Sequence, residues 1–296
     1  MSESLPRREG FAKVPGGRVW YEVVGGGPGL PLVTLHGGPG MPHDYLEPLA
    51  ALAIDRPVVF YDQLGCGRSP APDDPALWRL ERFVAELAEL IRVLGIDRFH
   101  LLGHSWGTML ALEYALANPD LVASLVLASP AISIPRWLAD LAAYRRDLPA
   151  PVRDALDRHE SAGTTDSSEY QAATARFYQH HVCRLFPWPP ALRRAVAGAG
   201  EAVYRAMWGE NEFLMTGSLR DYDRSASLGA VGAPTLYLCG RYDEGTPGAC
   251  AEYARRTPRS EVVVLERSSH MGVLEEEAAF RGAVAEFLRG VEARSR

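Results

Sequence analysis

The stretch GHSWG at residues 103–107 decides the fold, because it has the form Gly-x-Ser-x-Gly and lies between two recognisable elements. The apolar run FHLL at 99–102 precedes it and predicts a buried strand. The run TMLALEYALA at 108–117 follows it and predicts a helix that ends at Asn118-Pro119. A serine on so sharp a turn has a strained backbone that lifts its hydroxyl above the sheet, and the flanking glycines avoid collisions with neighbouring elements. The stretch therefore predicts that Ser105 is a nucleophile in an α/β protein.

Short strands alternate with helices on both sides of this turn. Continuous apolar runs are typical of parallel strands that are covered on both faces. The strands are predicted at residues 18–24, 32–35, 58–61, 124–128, 235–239 and 261–265, with amphipathic helices at 83–94 and 276–291. This alternation predicts a mostly parallel sheet with right-handed crossovers and helices on its flanks.

The strand pattern stops between about Pro130 and Gly232. This part of the chain is rich in arginine, tyrosine and tryptophan, and two proline clusters at 149–151 and 187–190 divide it into helical segments. We therefore predict an α/β core formed by residues 1–130 and 233–296, interrupted by a helical cap of residues 131–232.

Composition and charge exclude several classes of protein. The hydrophobic fraction of 47% and the charged fraction of 23% are typical of a globular protein. A net charge of −6, without a long basic run, argues against nucleic acid or an anionic membrane as a partner. Residues 1–10 carry no signal-peptide or membrane-span pattern, and we predict a cytoplasmic protein. No metal or cofactor motif is present, and the four cysteines lack metal-ligand spacing and are predicted to be reduced: Cys66, Cys183, Cys239 and Cys250.

A serine hydroxyl becomes a strong nucleophile only with a base in hydrogen-bond reach and a third group that orients the base. In folds with this serine turn, the partners follow in the order Ser, then Asp or Glu, then His. Asp243 follows the strand at 235–239, and His270 follows the strand at 261–265. The carboxyl ends of strands are where open α/β sheets place their sites. We predict a triad of Ser105, Asp243 and His270.

Other acids and histidines compete for these roles. Glu244 adjoins Asp243, but the shorter aspartate is the favoured acid at this loop position. His104 is too close in sequence to Ser105 to turn its ring back toward the hydroxyl, and we predict that it packs within the turn. Three more histidines lie in segments that do not fit the expected order, namely His43, His180 and His181.

Acyl transfer also needs hydrogen-bond donors for the oxyanion that develops on the substrate. The backbone N–H of Trp106 follows the nucleophile and supplies the first. The loop HGGPG at 36–40 follows the strand at 32–35 and supplies the second, for which Gly38 is the best candidate. The loss of one such donor typically lowers the rate about a hundred- to a thousandfold.

These motifs together resemble those of the proline iminopeptidases, a family with the α/β-hydrolase fold, over nearly the whole chain. HGGPGMPHDYL at 36–46 is similar to the family's oxyanion loop, and YDQLGCGRS at 61–69 to its second signature. GHSWG is similar to the nucleophile turn, while GRYDEGTP at 240–247 and SSH at 268–270 resemble the acid and base loops.

The segment MWGENEFLMTGSLRDYD at 207–223 resembles a cap signature of one subgroup, which contains the aminopeptidase that works with the tricorn protease. This resemblance implies that Glu212 and Glu244 bind the free amino terminus of the substrate. A pair of partly buried carboxylates suits an exopeptidase, because it binds an ammonium group and rejects blocked peptides. One charge-assisted hydrogen bond of about 1.5–3 kcal/mol corresponds to roughly ten- to a hundredfold selectivity.

The resemblance implies a serine exopeptidase that releases an N-terminal residue, proline, from short peptides through an acyl-enzyme. An L-amino-acid amidase or esterase with the same triad stays open, because relatives with these signatures also hydrolyse amino-acid amides such as prolinamide. A non-catalytic binding member of the fold is a third possibility, although it should lack a triad residue and none is missing. Ser105 argues against the cap-bearing epoxide hydrolases and dehalogenases, which use an aspartate nucleophile.

The partner implied is a short peptide or amino-acid amide with a free amino terminus, and the sequence does not indicate the oligomeric state. Four cap side chains either line the pocket that selects proline or form the core of the cap: Tyr204, Trp208, Phe213 and Met215.

Overall fold

An eight-stranded sheet forms the centre of the computed structural model, which describes residues 5–294. The strands lie in the order β1-β2-β4-β3-β5-β6-β7-β8. β2 pairs antiparallel with β1 and with β4, and the other neighbours are parallel. Their bounds are Arg7–Val14 (β1), Gly17–Val24 (β2), Leu32–Leu35 (β3), Val58–Tyr61 (β4), Phe99–His104 (β5), Val122–Ala128 (β6), Thr235–Gly240 (β7) and Ser260–Leu265 (β8).

Helices connect and cover these strands. Those that follow one another between β6 and β7, α3 to α7, are called the inserted helices below. The bounds are Leu80–Leu94 (α1), Trp106–Ala117 (α2), Ile134–Asp147 (α3), Ala150–Ala162 (α4), Ser168–His181 (α5), Pro190–Ala197 (α6), Glu201–Met207 (α7), Pro247–Arg256 (α8), Gly272–Glu275 (α9) and Glu277–Arg294 (α10). Three 3₁₀ segments cover His43–Ile54, Pro75–Leu77 and Ser225–Ala230.

The five central strands, β3 to β7, are buried on both faces, as continuous apolar strands predict. Along β5, Leu101 packs into one hydrophobic cluster and Leu102 into another, because successive side chains of a strand point to opposite faces. Helices α1 and α2 belong to the first cluster, while α10 and the 3₁₀ segment His43–Ile54 belong to the second. Each fully buried leucine contributes about 1.5–3 kcal/mol of hydrophobic free energy. This two-sided burial fixes the carboxyl ends of the strands, where the loops of the site begin.

The predicted α/β-hydrolase architecture, a mostly parallel sheet flanked by helices, is confirmed. The strand β1 is an addition that the sequence analysis missed, because its residues are mostly polar and exposed in the pattern of an edge strand. Helix α10 also continues beyond the predicted end at residue 291 to Arg294. The division of the chain into core and cap domains at residues 130 and 232 stays a prediction.

Two glycines allow the serine turn to pack. A Cβ atom added to Gly103 would lie 2.2 Å from the carbonyl oxygen of Gly107, and one added to Gly107 would lie 2.3 Å from that of Leu35. Both contacts are with backbone, which cannot move aside like a flexible side chain. The glycines are therefore steric requirements of the turn between β5 and α2.

Replacing Gly103 with alanine is expected to destabilise the fold by about 1–3 kcal/mol, the usual cost of overpacking. The measurement is the urea midpoint of unfolding. Gly282→Ala is the matched control, because a Cβ there meets no atom within 4 Å and lies inside α10. Alanine at that helical position should stabilise the protein by about 0.5–1 kcal/mol. Equal midpoints for Gly103→Ala and the wild type would contradict the steric argument.

Within residues 5–294, each helix is too short or too polar to cross a lipid bilayer.

Candidate active site

Ser105 occupies the turn between β5 and α2 with a backbone that L-residues rarely adopt. Its φ of 57° and ψ of −125° lie outside the helical and strand regions. The turn is fixed by two backbone hydrogen bonds, from the N–H of Ser105 to the carbonyl of Ala128 at 2.9 Å and from Thr108 to the carbonyl of Ser105 at 2.8 Å. A strained residue that its surroundings hold in place is typical of functional sites.

A pocket of about 400 Å³ opens over this serine. Five of the seven residues predicted from the sequence line it: Ser105, His270, Gly38, Glu212 and Glu244. The two others lie directly behind the lining, since Asp243 contacts His270 and Trp106 follows Ser105. The structure therefore brings together residues from widely separated parts of the chain.

Asp243 is hydrogen-bonded to His270, with 2.8 Å between Oδ1 and the ring Nδ1. The same Oδ1 accepts from the N–H of Gly245 at 2.8 Å, and Oδ2 accepts from the hydroxyl of Ser129 at 2.6 Å. These contacts fix the carboxylate and through it the imidazole ring. The competing acid Glu244 lies 3.8 Å from the same Nδ1, beyond hydrogen-bond distance. The geometry thus favours Asp243 over Glu244 as the partner of His270.

Two backbone N–H groups beside Ser105 have no acceptor among the described residues: those of Gly38 and Trp106. Trp106 is the first residue of α2, where an N–H has no intrahelical partner. Gly38 has a φ of 109°, a conformation that favours glycine, and a Cβ there would lie 2.5 Å from the nitrogen of Gly40. The adjacent Gly37 N–H is already used, because it donates to the hydroxyl of Tyr45 at 2.7 Å.

Glu212 and Glu244 form an acidic wall in the same pocket. The hydroxyl of Tyr204 donates to Oε1 of Glu212 at 2.9 Å, whereas Oε2 of Glu244 is buried without a partner among residues 5–294. Burial raises the pKa of Glu212, and burial together with the nearby charge of Glu212 raises the pKa of Glu244 well above 4.5. A buried carboxylate oxygen without a donor is costly, and a ligand that brings N–H donors would satisfy it.

Two further side chains, which were not predicted from the sequence, support this site. The amide of Gln63 accepts from the Trp106 indole at 2.8 Å and donates to the carbonyl of His36 at 3.0 Å, so it joins the two loops that carry the free N–H groups. Ser129, at a positive φ of 51°, holds Asp243. Position offered a signal for both: Ser129 directly follows β6, and Gln63 is the second residue after β4, so both lie at the carboxyl ends of strands, where the site is.

Of the four cap side chains named from the sequence, Tyr204 lines the pocket. Trp208, Phe213 and Met215 pack instead with the first hydrophobic cluster and do not line the pocket. Polar residues line the pocket as well, among them Glu201, Arg205, Glu210 and Asn211. The larger apolar side chains of the lining belong to or pack against the second cluster: Met41, Val182, Trp188, Leu192 and Met271.

The inserted helices are bonded to the loops of the site through backbone groups. The N–H of His270 donates to the carbonyl of His181 at 3.1 Å, and that of Met271 donates to Val182 at 2.9 Å. On the opposite loop, the N–H of Gly200 donates to the carbonyl of Gly40 at 2.9 Å. No group of three or more metal-ligating side chains occurs in the described part of the chain.

Comparisons with known proteins place the chain in a family. A family model described as the α/β hydrolase fold matches residues 31–277. The protein is therefore an α/β hydrolase. A proline iminopeptidase of Heyndrickxia coagulans is 44% identical over 96% of this chain and 99% of its own length. One from Saccharolobus solfataricus is 36% identical, covering 96% and 93%. The chain belongs to the proline iminopeptidase family of the α/β hydrolases.

A solved structure supports the same placement. The crystal structure of a proline iminopeptidase of Mycobacterium smegmatis is 37% identical and superposes with a TM-score of 0.91. The match covers 98% of this chain and 100% of that one. The similarity therefore includes the inserted helices as well as the sheet.

Proposed function

We propose that this protein is a serine exopeptidase that releases N-terminal proline from short peptides. The observation that carries the proposal is the acidic wall of Glu212 and Glu244 in the pocket of Ser105. The relatives named proline iminopeptidase support it, because they match this chain along nearly its whole length.

In the proposed reaction, the Ser105 hydroxyl attacks the carbonyl carbon of the N-terminal residue while the Nε2 atom of His270 takes the hydroxyl proton. Asp243 orients the ring through its 2.8 Å hydrogen bond to Nδ1 and stabilises the imidazolium. The free N–H groups of Gly38 and Trp106 bind the oxyanion. His270 then gives the proton to the leaving amine, and a water molecule, activated by His270 in turn, hydrolyses the acyl-enzyme.

The two carboxylates select the amino terminus. A protonated N-terminal proline carries two N–H groups, and two glutamates offer one acceptor to each of them. The Oε2 atom of Glu244, which has no partner in the described part of the chain, is the atom that such a donor would satisfy. A blocked amino terminus lacks the charge and one or both donors, and it would leave this oxygen unpaired.

The apolar side chains of the pocket support a peptide substrate. Met41, Trp188 and Leu192 line the pocket with the second hydrophobic cluster behind them, whereas Tyr204 and Tyr178 pack against the first. With the amine held by the two glutamates, these apolar side chains would contact the residue after the scissile bond. Prolinamide has no such residue.

Free and blocked substrates are expected to differ strongly. Kinetics on prolyl-arylamide and N-acetylprolyl-arylamide should show kcat/KM lower for the blocked substrate by about a hundredfold or more, because both glutamate contacts are lost. Prolyl dipeptides measured beside prolinamide separate the peptidase from the amidase. Equal rates on free and blocked substrates would rule out amine recognition, and faster hydrolysis of prolinamide than of prolyl dipeptides would favour the amidase.

The cytoplasmic location stays a prediction. The four cysteines lie within the described residues and are buried without disulfide bonds, which suits a reducing compartment.

The proposed reaction uses only side chains, backbone groups and water in each of its steps.

A further inference from the structure

A buried hydrogen-bond chain runs through the lining of the pocket and connects three of its loops. It begins at the N–H of Gly37, which lies 2.7 Å from the hydroxyl oxygen of Tyr45. That oxygen lies 3.0 Å from Nδ1 of His104, and Nε2 of His104 lies 2.9 Å from the carbonyl oxygen of His270. Tyr45 and His104 are 0% and 1% exposed, so bulk water does not compete for these bonds.

The partners determine the position of every proton in this chain. The Gly37 N–H can only donate, so the Tyr45 oxygen accepts and directs its own proton to Nδ1 of His104. The His270 carbonyl can only accept, so His104 carries its proton on Nε2. All the donors and acceptors are thus satisfied by one arrangement, with a neutral imidazole at its centre.

The environment of His104 keeps the ring neutral. Burial, with a further effect of His270, lowers the pKa of His104 to about 3. The ring lies beside that of His270, with 4.7 Å between the ring centroids. During the proposed reaction the His270 ring becomes positively charged, and a neutral neighbour avoids repulsion at that stage.

We propose that Tyr45 and His104 are positioning residues that hold the oxyanion loop and the base loop in fixed relation across the serine turn. His104 immediately precedes Ser105, so the chain joins the nucleophile, the loop of Gly38 and the backbone of His270 in one network. By binding the Gly37 N–H, Tyr45 fixes the peptide next to Gly38, whose own N–H is left free for the oxyanion. Donors positioned in advance stabilise the transition state more than the bound substrate.

Tyr45→Phe tests the inference with the loss of one oxygen atom. We expect kcat to fall about 10- to 100-fold with KM changed less than about twofold, because the oxyanion donors become misplaced while the amine site is intact. Affinity for a proline boronate, which forms a tetrahedral serine adduct, should fall in parallel, and affinity for free proline should not. Tyr237→Phe is the matched control, because it removes another buried, hydrogen-bonded tyrosine hydroxyl outside the pocket.

Two substitutions of His104 add an independent test. The amide of glutamine can accept from Tyr45 and donate to His270, so His104→Gln should retain most of the activity that His104→Phe loses. The inference is overturned if Tyr45→Phe keeps wild-type kcat, if its affinities for the boronate and for proline fall together, or if His104→Gln is as inactive as His104→Phe.

The inference rests on the proposed serine mechanism, which has its own readout. Covalent labelling of Ser105 in the wild-type protein by a fluorophosphonate tests that mechanism without reference to Tyr45 or His104. Failure of labelling would therefore reject the mechanism, whereas normal labelling with an unaffected Tyr45→Phe variant would reject only the positioning role.

Discussion

Ser105→Ala is expected to lower kcat for prolyl substrates about 10⁴- to 10⁶-fold, because the proposed nucleophile has no substitute in the pocket. The strained turn does not depend on the hydroxyl, since the glycines at 103 and 107 and the backbone bonds of the turn remain. The variant should therefore fold and still bind the amino terminus. Steady-state kinetics on a prolyl-arylamide measure the loss of turnover, and labelling by a fluorophosphonate measures the loss of the nucleophile.

A buried serine outside the pocket provides the control. Ser124 is 0% exposed in β6, and its hydroxyl is 2.7 Å from the ring of His100. Ser124→Ala removes a comparable hydroxyl and should retain turnover and labelling. Residual fast turnover by Ser105→Ala, or a fluorophosphonate adduct on another residue, would show that the nucleophile has been misassigned.

Glu212→Gln and Glu244→Gln are each expected to raise KM for substrates with a free amino terminus about 10- to 100-fold, the value of one charge-assisted hydrogen bond. The amide preserves the size of the side chain, so the loss reports on charge and acceptor capacity. For N-blocked substrates the same variants should change KM little. Kinetics on matched free and blocked arylamides measure the difference.

Glu210→Gln is the matched control for these two variants. It removes the same charge from another carboxylate of the pocket lining, one that is exposed to water, where screening weakens its effect. If Glu210→Gln raised KM as much as Glu244→Gln does, the effect would come from the general negative field of the pocket and not from a specific contact with the amine.

The raised pKa values of both glutamates give this site a pH dependence. The ionised carboxylates bind an ammonium group, so KM should rise as pH falls through the raised pKa values. This rise in KM at low pH should be smaller in Glu244→Gln.

The free energy of unfolding should show the opposite dependence on pH and fall as pH rises. In the unfolded chain Glu244 ionises near its usual pKa of 4.5, whereas the folded chain retains the proton to higher pH, so rising pH favours unfolding in that interval. Urea midpoints across the range should show a smaller decline for Glu244→Gln than for the wild type.

The strands and the order of the site residues could be predicted because they depend on local pattern. Continuous apolar runs identify strands that are buried on both faces, and the turn at Ser105 combines a strand, two glycines and a helix within a short stretch. The strand β1 was missed since an edge strand with a polar exposed face has no comparable signal.

The supporting contacts of the site could not be predicted from the residues because they join distant segments. Nothing local in the sequence indicates that Tyr45 reaches His104, or that Gln63 reaches the indole of Trp106. Only the resemblance to a known family pointed to Glu212, whereas its pairing with Tyr204 follows from the fold of the inserted helices. Packing of helices on helices places these side chains, and single-sequence patterns do not encode it.

The backbone bonds from His181 and Val182 to the base loop connect the inserted helices to His270. If the inserted helices swung away as a lid, they would break the bonds to His270 and Met271, each worth about 0.5–1.5 kcal/mol, and would displace the base itself. An open arrangement of the inserted helices would therefore be inactive, because the base loop is held in place only while these bonds are made. The inserted helices thus act as a brace for the base as well as a cover for the pocket.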